Sequence, residues 1–172
     1  MSSLAVTVIG RDRPGIIAEV TAVVAGLGGN LEDSSMTLLR GHFAWMLVAD
    51  VAATPVALSR ALEPLRADGL VVSVLPVADD RPYGHDLLPY VLSVHGADRP
   101  GIVAAVTSRL ARHGGNITDL STRLGSRGLY VLVAEASLPS SVDVDALSGE
   151  LAAVARELGV EVRLRPADTD TL

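Results

Sequence analysis

The sequence contains no cysteine, no lysine and no long uninterrupted apolar segment. The absence of cysteine excludes disulfide scaffolds, thiol nucleophiles and thiolate metal sites. The longest apolar candidate, from Phe43 to Ala49, has the length of a strand and is far shorter than the roughly 20 residues that a membrane helix needs. The first residues, Met-Ser-Ser-Leu-Ala-Val, lack the basic region and cleavage site of a secretory leader. We therefore expect a cytoplasmic protein with no membrane partner.

The charge balance argues against nucleic acid as a direct partner. Twenty acidic and fourteen basic residues, all of the latter arginine, give a net charge of −6. Neutralisation of phosphates supplies most of the affinity for DNA, and this chain has no basic stripe to provide it. A hydrophobic content of 49% is ample for a folded core.

The chain is a tandem repeat with a shift of 86 residues. Asp-Arg-Pro-Gly-Ile at 12–16 recurs at 98–102, and Gly-Gly-Asn at 28–30 recurs at 114–116. The segments 12–33 and 98–119 share 13 identities in 22 positions without a gap. Two copies of one unit explain this match, and the period suits a small domain rather than a solenoid.

Each copy reads as βαββαβ from its hydrophobic spacing and its turn residues. The first copy has predicted strands at 4–9, 31–39, 42–51 and 70–77 and predicted helices at 14–27 and 54–68. The second has predicted strands at 90–95, 117–124, 129–136 and 160–164 and predicted helices at 100–113 and 143–158. Right-handed crossovers convert this order into a four-stranded antiparallel sheet with both helices on one face. The predicted class is α+β, with two ferredoxin-like domains at 1–78 and 89–165, a linker at 79–88 and a tail at 166–172.

Several predicted strands barely alternate between apolar and polar residues. The segments 43–48, 70–72 and 129–133 are nearly all apolar, whereas a sheet with one wet face should alternate. We therefore expect the helix-free face to be covered by the other repeat or by a second chain. A homodimer is the simplest such arrangement.

The repeated loop between the first strand and the first helix is the local motif with chemical potential. A turn followed by a helix N-terminus presents free backbone N–H groups to an anion such as a carboxylate. Gly15 and Gly101 would admit a ligand close to the backbone, and the carboxylates of Asp12 and Asp98 could hold an ammonium group. The alternative is that proline and glycine only shape a tight entry into the helix.

Asn30 and Asn116 follow the glycine pairs and are predicted to lie near the same end of the sheet as the loops. Their carboxamides would offer a donor and an acceptor to a zwitterion such as a free amino acid. The alternative is that they are left-handed cap residues at the helix end. A P-loop is excluded because Ile16 and Ile102 stand where its lysine would be, and no cofactor is expected.

The pattern Asp-Arg-Pro-Gly-Ile, then Gly-Gly-Asn, on a βαββαβ frame resembles the ACT domain, twice. The resemblance implies a non-catalytic regulatory module that binds an amino acid, often between two such domains. It implies the ligand residues Asp12, Gly15 and Asn30 in one repeat and Asp98, Gly101 and Asn116 in the other. Some serine-binding members have asparagine where Asp12 and Asp98 stand, so the ligand's identity stays open.

Free-standing tandem proteins of this size resemble the glycine cleavage system transcriptional repressor family. That resemblance implies a sensor of a small amino acid, glycine or serine-like, acting on a partner protein such as a transcription regulator of glycine or one-carbon metabolism. Two alternatives remain open: an interaction module without a ligand, and a regulatory subunit of an amino-acid metabolic enzyme.

Overall fold

The computed structural model describes residues 2–77, 86–125 and 128–167. The chain divides into two compact units, Met1–Arg81 and Pro82–Leu172, here called unit 1 and unit 2. Each is a four-stranded antiparallel sheet with helices packed on one face, which confirms the predicted α+β class. Residues 79–85 of the predicted linker and 168–172 of the predicted tail lie outside the described residues.

Unit 1 has the predicted order of elements. Its strands are β1 (Ser2–Arg11), β2 (Asn30–Leu39), β3 (His42–Val51) and β4 (Val71–Pro76), and its helices are α1 (Ile16–Gly26), α2 (Pro55–Ala61) and α3 (Glu63–Ala67). The strands are arranged β2-β3-β1-β4, with β1 and β3 in the centre. The predicted hairpin turn at Arg40 and Gly41 is confirmed, and both residues have positive φ.

The prediction of a single helix at 54–68 was wrong. The segment forms the two short helices α2 and α3, with Leu62 between them. Pro64 explains the break, because it has no N–H to donate back to the preceding turn and its ring clashes with that turn's carbonyl. It is tolerated as one of the first residues of α3, where no intrahelical donor is required.

Unit 2 repeats the arrangement with one long second helix. Its strands are β5 (Leu87–Ala97), β6 (Asn116–Leu124), β7 (Leu129–Pro139) and β8 (Val160–Pro166), and its helices are α4 (Ile102–Arg112) and α5 (Val144–Leu158). The strand order is β6-β7-β5-β8. The first two residues of β5, Leu87 and Leu88, fall within the segment predicted as a linker. In both units the edge strand following the first helix contains a register shift, between Leu31 and Asp33 in β2 and between Ile117 and Asp119 in β6.

The core of each unit lies between the sheet and its helices. In unit 1, Ile16, Val20 and Val24 recur every four residues along α1 and pack on alternate residues of β1 and β3. The face of each sheet that carries these buried residues is here called the inner face, and the opposite one the outer face. No helix among the described residues is long and apolar enough to cross a membrane.

Candidate functional site

The loop that joins β1 to α1 in unit 1 leads into a helix start without a side-chain cap. The Asp12 N–H donates to the Gly41 carbonyl at 3.0 Å, which ties the loop to the β2–β3 hairpin. Gly15 precedes the helix with φ 95°, a conformation that favours glycine. The first helical bond runs from the Glu19 N–H to the Gly15 carbonyl at 2.9 Å. The first turn of α1 therefore begins without a hydrogen bond from a capping side chain.

Unit 2 builds the same loop from its own copy of the motif. The Asp98 N–H donates to the Gly128 carbonyl at 3.3 Å, and the Ala105 N–H donates to the Gly101 carbonyl at 2.8 Å. Gly101 has φ 92°, and no side chain caps the helix that follows it, as is also the case after Gly15. Within the described parts of the chain, the carboxylates of Asp12 and Asp98 make no hydrogen bond or ion pair. The structure thus brings together the predicted aspartate and glycine in each unit.

The predicted asparagines do not join these loops, and that prediction was wrong. Asn30 pairs with Asp50, which pairs with Ser3 near the start of β1, whereas Asp12 follows the end of β1. Eight residues of strand separate the two levels, on the order of 25 Å. Asn116 is at the corresponding far end of unit 2, opposite Ser137. The helix between loop and asparagine carries the chain back along the sheet, and the glycine pair turns the chain only after that crossing.

The alternative role of the asparagines as left-handed caps is also not realised. The left-handed residue after α1 is Gly28, with φ 68°, and the one after α4 is Gly114, with φ 74°. Asn30 and Asn116 are the exposed first residues of β2 and β6.

In unit 1 the loop is closed by its own side chains. Arg13 donates two hydrogen bonds to the Glu19 carboxylate, at 2.6 and 2.7 Å, and a third to Asp68 at 3.0 Å. These three residues are here called the unit 1 latch. A Cβ placed on Gly15 would lie 3.2 Å from Glu19 Oε1. The helix N-terminus of unit 1 therefore has a carboxylate of its own beside it.

The unit 1 latch should loosen in acid. The pKa of Glu19 lies below its ordinary value of 4.5, mainly because Arg13 donates hydrogen bonds to the carboxylate. Desolvation raises this pKa and the positive charge of Arg13 lowers it further. A lowered pKa in the folded state stabilises the fold above the unfolded-state pKa, and this contribution is lost as pH falls through the folded-state pKa. Glu19→Gln should therefore lower the melting temperature of unit 1 at neutral pH and have no effect in strong acid.

This pH dependence can be measured as thermal unfolding followed by Trp45 fluorescence over a pH series. The control is Glu150→Gln, which makes the same charge change in unit 2, where Glu150 pairs with His113. The control should leave the Trp45 transition in place at every pH. A gap between Glu19→Gln and the unsubstituted chain that persists in strong acid would contradict the assignment.

In unit 2 the corresponding loop is open. Ala105 occupies the repeat position of Glu19, and Leu158 precedes Gly159 as Asp68 precedes Gly69. Arg99 consequently has no carboxylate partner in the described segments, and its guanidinium lies 3.6 Å from the point where a Cβ on Gly159 would stand. Nothing lies within 4 Å of the corresponding point on Gly101.

A groove of about 330 Å³ occupies this open position in unit 2. It is lined by the loop, the first turn of α4 and one side chain from β7: Asp98, Arg99, Gly101, Ile102, Val103, Ala104 and Tyr130. Tyr130 lies opposite Gly96 on β5, as Phe43 lies opposite Gly10 on β1. Unit 2 thus adds a half-buried phenol where unit 1 has a fully apolar ring.

Sequence reasoning missed Arg99 and Tyr130 as groove residues and Glu19 and Asp68 as latch residues. Arg99 belongs to the repeated motif, and the contrast between Glu19 and Ala105 was visible in the aligned repeats. Tyr130 corresponds to Phe43 only when the two repeats are aligned with a shift of 87 residues, because the hairpin loop of unit 2 is longer by one residue. A constant shift hides that correspondence.

One protein-family model matches the chain twice. The sequence model of the family described as "ACT domain" matches residues 2–70 and 89–165. The chain is similar to a UPF0237 protein of Methanopyrus kandleri, with 41% identity over 69 residues, 40% of this chain and 77% of the relative. It is also similar to the glycine cleavage system transcriptional repressor of Escherichia coli, with 28% identity over 121 residues. That match covers 70% of this chain and 64% of the repressor, slightly less than two thirds of its length.

Solved structures share the fold over nearly the whole chain. A protein of unknown function from Galdieria sulphuraria superposes with a TM-score of 0.86 at 29% identity, covering 96% of this chain and 98% of that one. A structure assigned as a glycine cleavage system transcriptional repressor superposes with a TM-score of 0.66 at 21% identity, covering 95% and 96%. The second likeness shows the fold alone.

Proposed function

The chain belongs to the ACT domain family, as a tandem ACT protein resembling the glycine cleavage system transcriptional repressor, and from this premise we propose that it senses a small amino acid through unit 2. The observation that carries the proposal is the open groove beside Asp98 and Gly101, where the equivalent position of unit 1 is filled by Glu19. ACT proteins of this kind are regulatory, and we propose no reaction for this one.

The groove offers complementary groups to each end of an amino acid. Free N–H groups at the start of α4 and the guanidinium of Arg99 suit the α-carboxylate. The Asp98 carboxylate suits the α-ammonium group, and the Tyr130 hydroxyl can serve a polar side chain such as that of serine. A volume of about 330 Å³ is at the small end of ligand sites and favours a small amino acid.

Asn30 or Asn116 can still contact the bound amino acid if the asparagine belongs to a different domain from the loop. Within one unit, Asn116 is on the order of 25 Å from the loop, far beyond the reach of one small ligand. A ligand that contacts a loop and an asparagine must therefore bridge two domains. Such a ligand stabilises one arrangement of the domains by its differential affinity, typically about 1–3 kcal/mol of coupling.

The readout of this rearrangement is proposed to be contact with a partner protein. The relative from Escherichia coli is named for transcriptional repression of the glycine cleavage system. By analogy, the partner here would be a transcription regulator, with control passing through protein contacts. If the partner were instead a metabolic enzyme, the chain would co-purify with a catalytic subunit.

The proposal is tested by isothermal titration calorimetry and thermal unfolding against a panel of amino acids that includes glycine and serine. A ligand at 100 times its Kd should add about 2.7 kcal/mol to the stability of the unit that binds it. The expected stoichiometry is one ligand per chain, because the unit 1 latch occupies the other loop. If no amino acid gives heat or a thermal shift, the sensing proposal fails and the fold assignment stands.

A second candidate function is an interaction module without a ligand, and the closed loop of unit 1 favours it for that half of the chain. It predicts that partner binding is unchanged by any amino acid. Partner capture measured with and without the amino acid that scores in calorimetry separates the two.

A further inference from the structure

The outer face of unit 1 is mostly apolar and nearly uncharged across its centre. Its three central rows of paired positions, at the levels of Ala5, Thr7 and Ile9, hold seven apolar residues and one charged residue, Asp33 on the edge strand; the other four carry hydroxyl groups, Thr7, Ser35, Thr37 and Ser73. Five large apolar side chains on this face are between 48% and 68% exposed: Ile9, Leu39, Met46, Val71 and Leu75. Several large apolar side chains exposed together on a nearly uncharged sheet face mark a surface that is covered in the working protein.

The outer face of unit 2 has the same geometry and the opposite chemistry. Its three corresponding rows, at Val91, Ser93 and His95, carry six charged residues: Asp119, Arg123, Glu135, Glu161, Arg163 and Arg165. Arg163 donates to Glu161 at 2.7 Å on the surface of β8. A hydrated, ion-paired face needs no cover, so the apolarity of unit 1 is a property of that unit and not of the fold.

The two ends of the unit 1 outer face carry opposite charges. At one end are Asp50, opposite Ser3, and Glu32, which accepts a hydrogen bond from Ser3 Oγ at 3.2 Å; Asp33 lies one row further in. At the other end Arg11 pairs with His42 across β1 and β3. The face is thus a mostly apolar band, here called the apolar band, between an acidic end and a basic end.

This pattern is self-complementary. Two sheets that pack face to face keep their strands roughly aligned and lie about 10 Å apart. A two-fold axis across the strands places the acidic end of one copy over the basic end of the other, while an axis along the strands superposes like charges. Each favourable contact then occurs twice, because a two-fold interface uses the same patch on both copies.

We propose that the chain forms a two-fold homodimer through the outer face of unit 1, with its strands antiparallel between copies. Four strands at about 4.8 Å and eight residues at about 3.3 Å give a footprint of about 500 Å² per copy. The pair buries on the order of 1,000 Å², the lower bound for a specific interface. The dimer should therefore dissociate measurably on dilution. The proposal is independent of amino-acid binding.

Sedimentation velocity of the full chain over a concentration series tests this interface. Met46→Glu places a charge in the middle of the apolar band. It should raise the dimer Kd by on the order of 100-fold, because each dimer would bury two unpaired carboxylates, one from each copy. Val133→Glu is the matched control: Val133 holds the equivalent place on the outer face of unit 2 and is 41% exposed. The control should dimerise like the unsubstituted chain.

Charge reversal tests the orientation. Arg11→Glu and Asp50→Arg should each weaken the dimer, and the two changes in one chain should restore it, because each reversed group then faces the other. The cysteine-free sequence permits a second measurement. A short bifunctional maleimide should join copies carrying Met46→Cys and leave copies carrying Val133→Cys unjoined.

Three results would overturn the proposal. One is a monomer at every concentration, which would assign the cover of this face to another part of the same chain or to a different protein. Another is loss of the dimer in Val133→Glu with retention in Met46→Glu. The last is a double variant, Arg11→Glu with Asp50→Arg, whose dimer is as weak as that of each single variant.

Discussion

Replacement of Gly29 by alanine is expected to destabilise unit 1 by about 3 kcal/mol, whereas the same change at its neighbour Gly28 should cost about 1 kcal/mol. A Cβ on Gly29 would stand 2.8 Å from the carbonyl oxygen of Asp50 and 2.9 Å from Val51 Cβ. Both belong to β3, which is hydrogen-bonded on both sides and cannot retreat. A Cβ on Gly28 would face open space, so the only cost of alanine there is the strain of a side chain at φ 68°.

The measurement exploits the single tryptophan of the chain. Trp45 is 4% exposed in the unit 1 core, edge-on to Phe43 at 6.4 Å between ring centroids. Its fluorescence therefore reports the unfolding of unit 1 in urea. The control is Gly115→Ala, whose Cβ would meet Leu138 Cδ2 at 2.5 Å in unit 2.

Gly115→Ala should lower stability by circular dichroism while leaving the Trp45 transition where it was. Equal costs at Gly28 and Gly29 would show that the close approach of β3 relaxes and that only the turn conformation matters.

The second large effect concerns ligand affinity. Asp98→Asn and Arg99→Gln should each weaken amino-acid binding by about 10- to 100-fold, since each removes a charged hydrogen-bonding group worth about 1.5–3 kcal/mol. Asp12→Asn should change affinity by less than about twofold, because the unit 1 loop is closed. Titration calorimetry gives both numbers and the stoichiometry.

Exchange of the latch residue between units gives a sharper test of the same idea. Ala105→Glu supplies unit 2 with the carboxylate that Arg13 finds in unit 1, and it should abolish binding without unfolding the unit. Glu19→Ala opens the unit 1 loop and should allow a second, weaker ligand per chain. If Ala105→Glu binds as tightly as the unsubstituted protein, the groove of unit 2 is not the ligand site.

Much of the fold could be read from the sequence because its signals are local. The glycine pair after α1, the hairpin at Arg40 and Gly41 and the apolar spacing of α1 each act within a few residues. Repetition of the motif then fixed two copies of one topology. The break at Pro64 was the exception, although the missing N–H of proline is itself a local signal.

The site was less predictable because its decisive contacts are distant in sequence. Arg13 meets Asp68 across 55 residues, and no spacing rule anticipates that contact. Asn30 lies at the level of Ser3, far from Asp12, because α1 carries the chain back along the sheet, and no residue near the asparagine signals that reversal. Whether a loop is open depends on a single position of the repeat, which is Glu19 in unit 1 and Ala105 in unit 2, while the surrounding residues largely match.

The register shifts near the start of β2 and β6 have a consequence for the behaviour of concentrated solutions. An exposed, regular strand edge is a template on which other chains add strands without limit. An extra residue bends the edge and leaves its hydrogen-bonding groups out of step with an incoming strand. Both units carry this irregularity at the same place. Growth by strand addition is thereby hindered on the edges that β2 and β6 form.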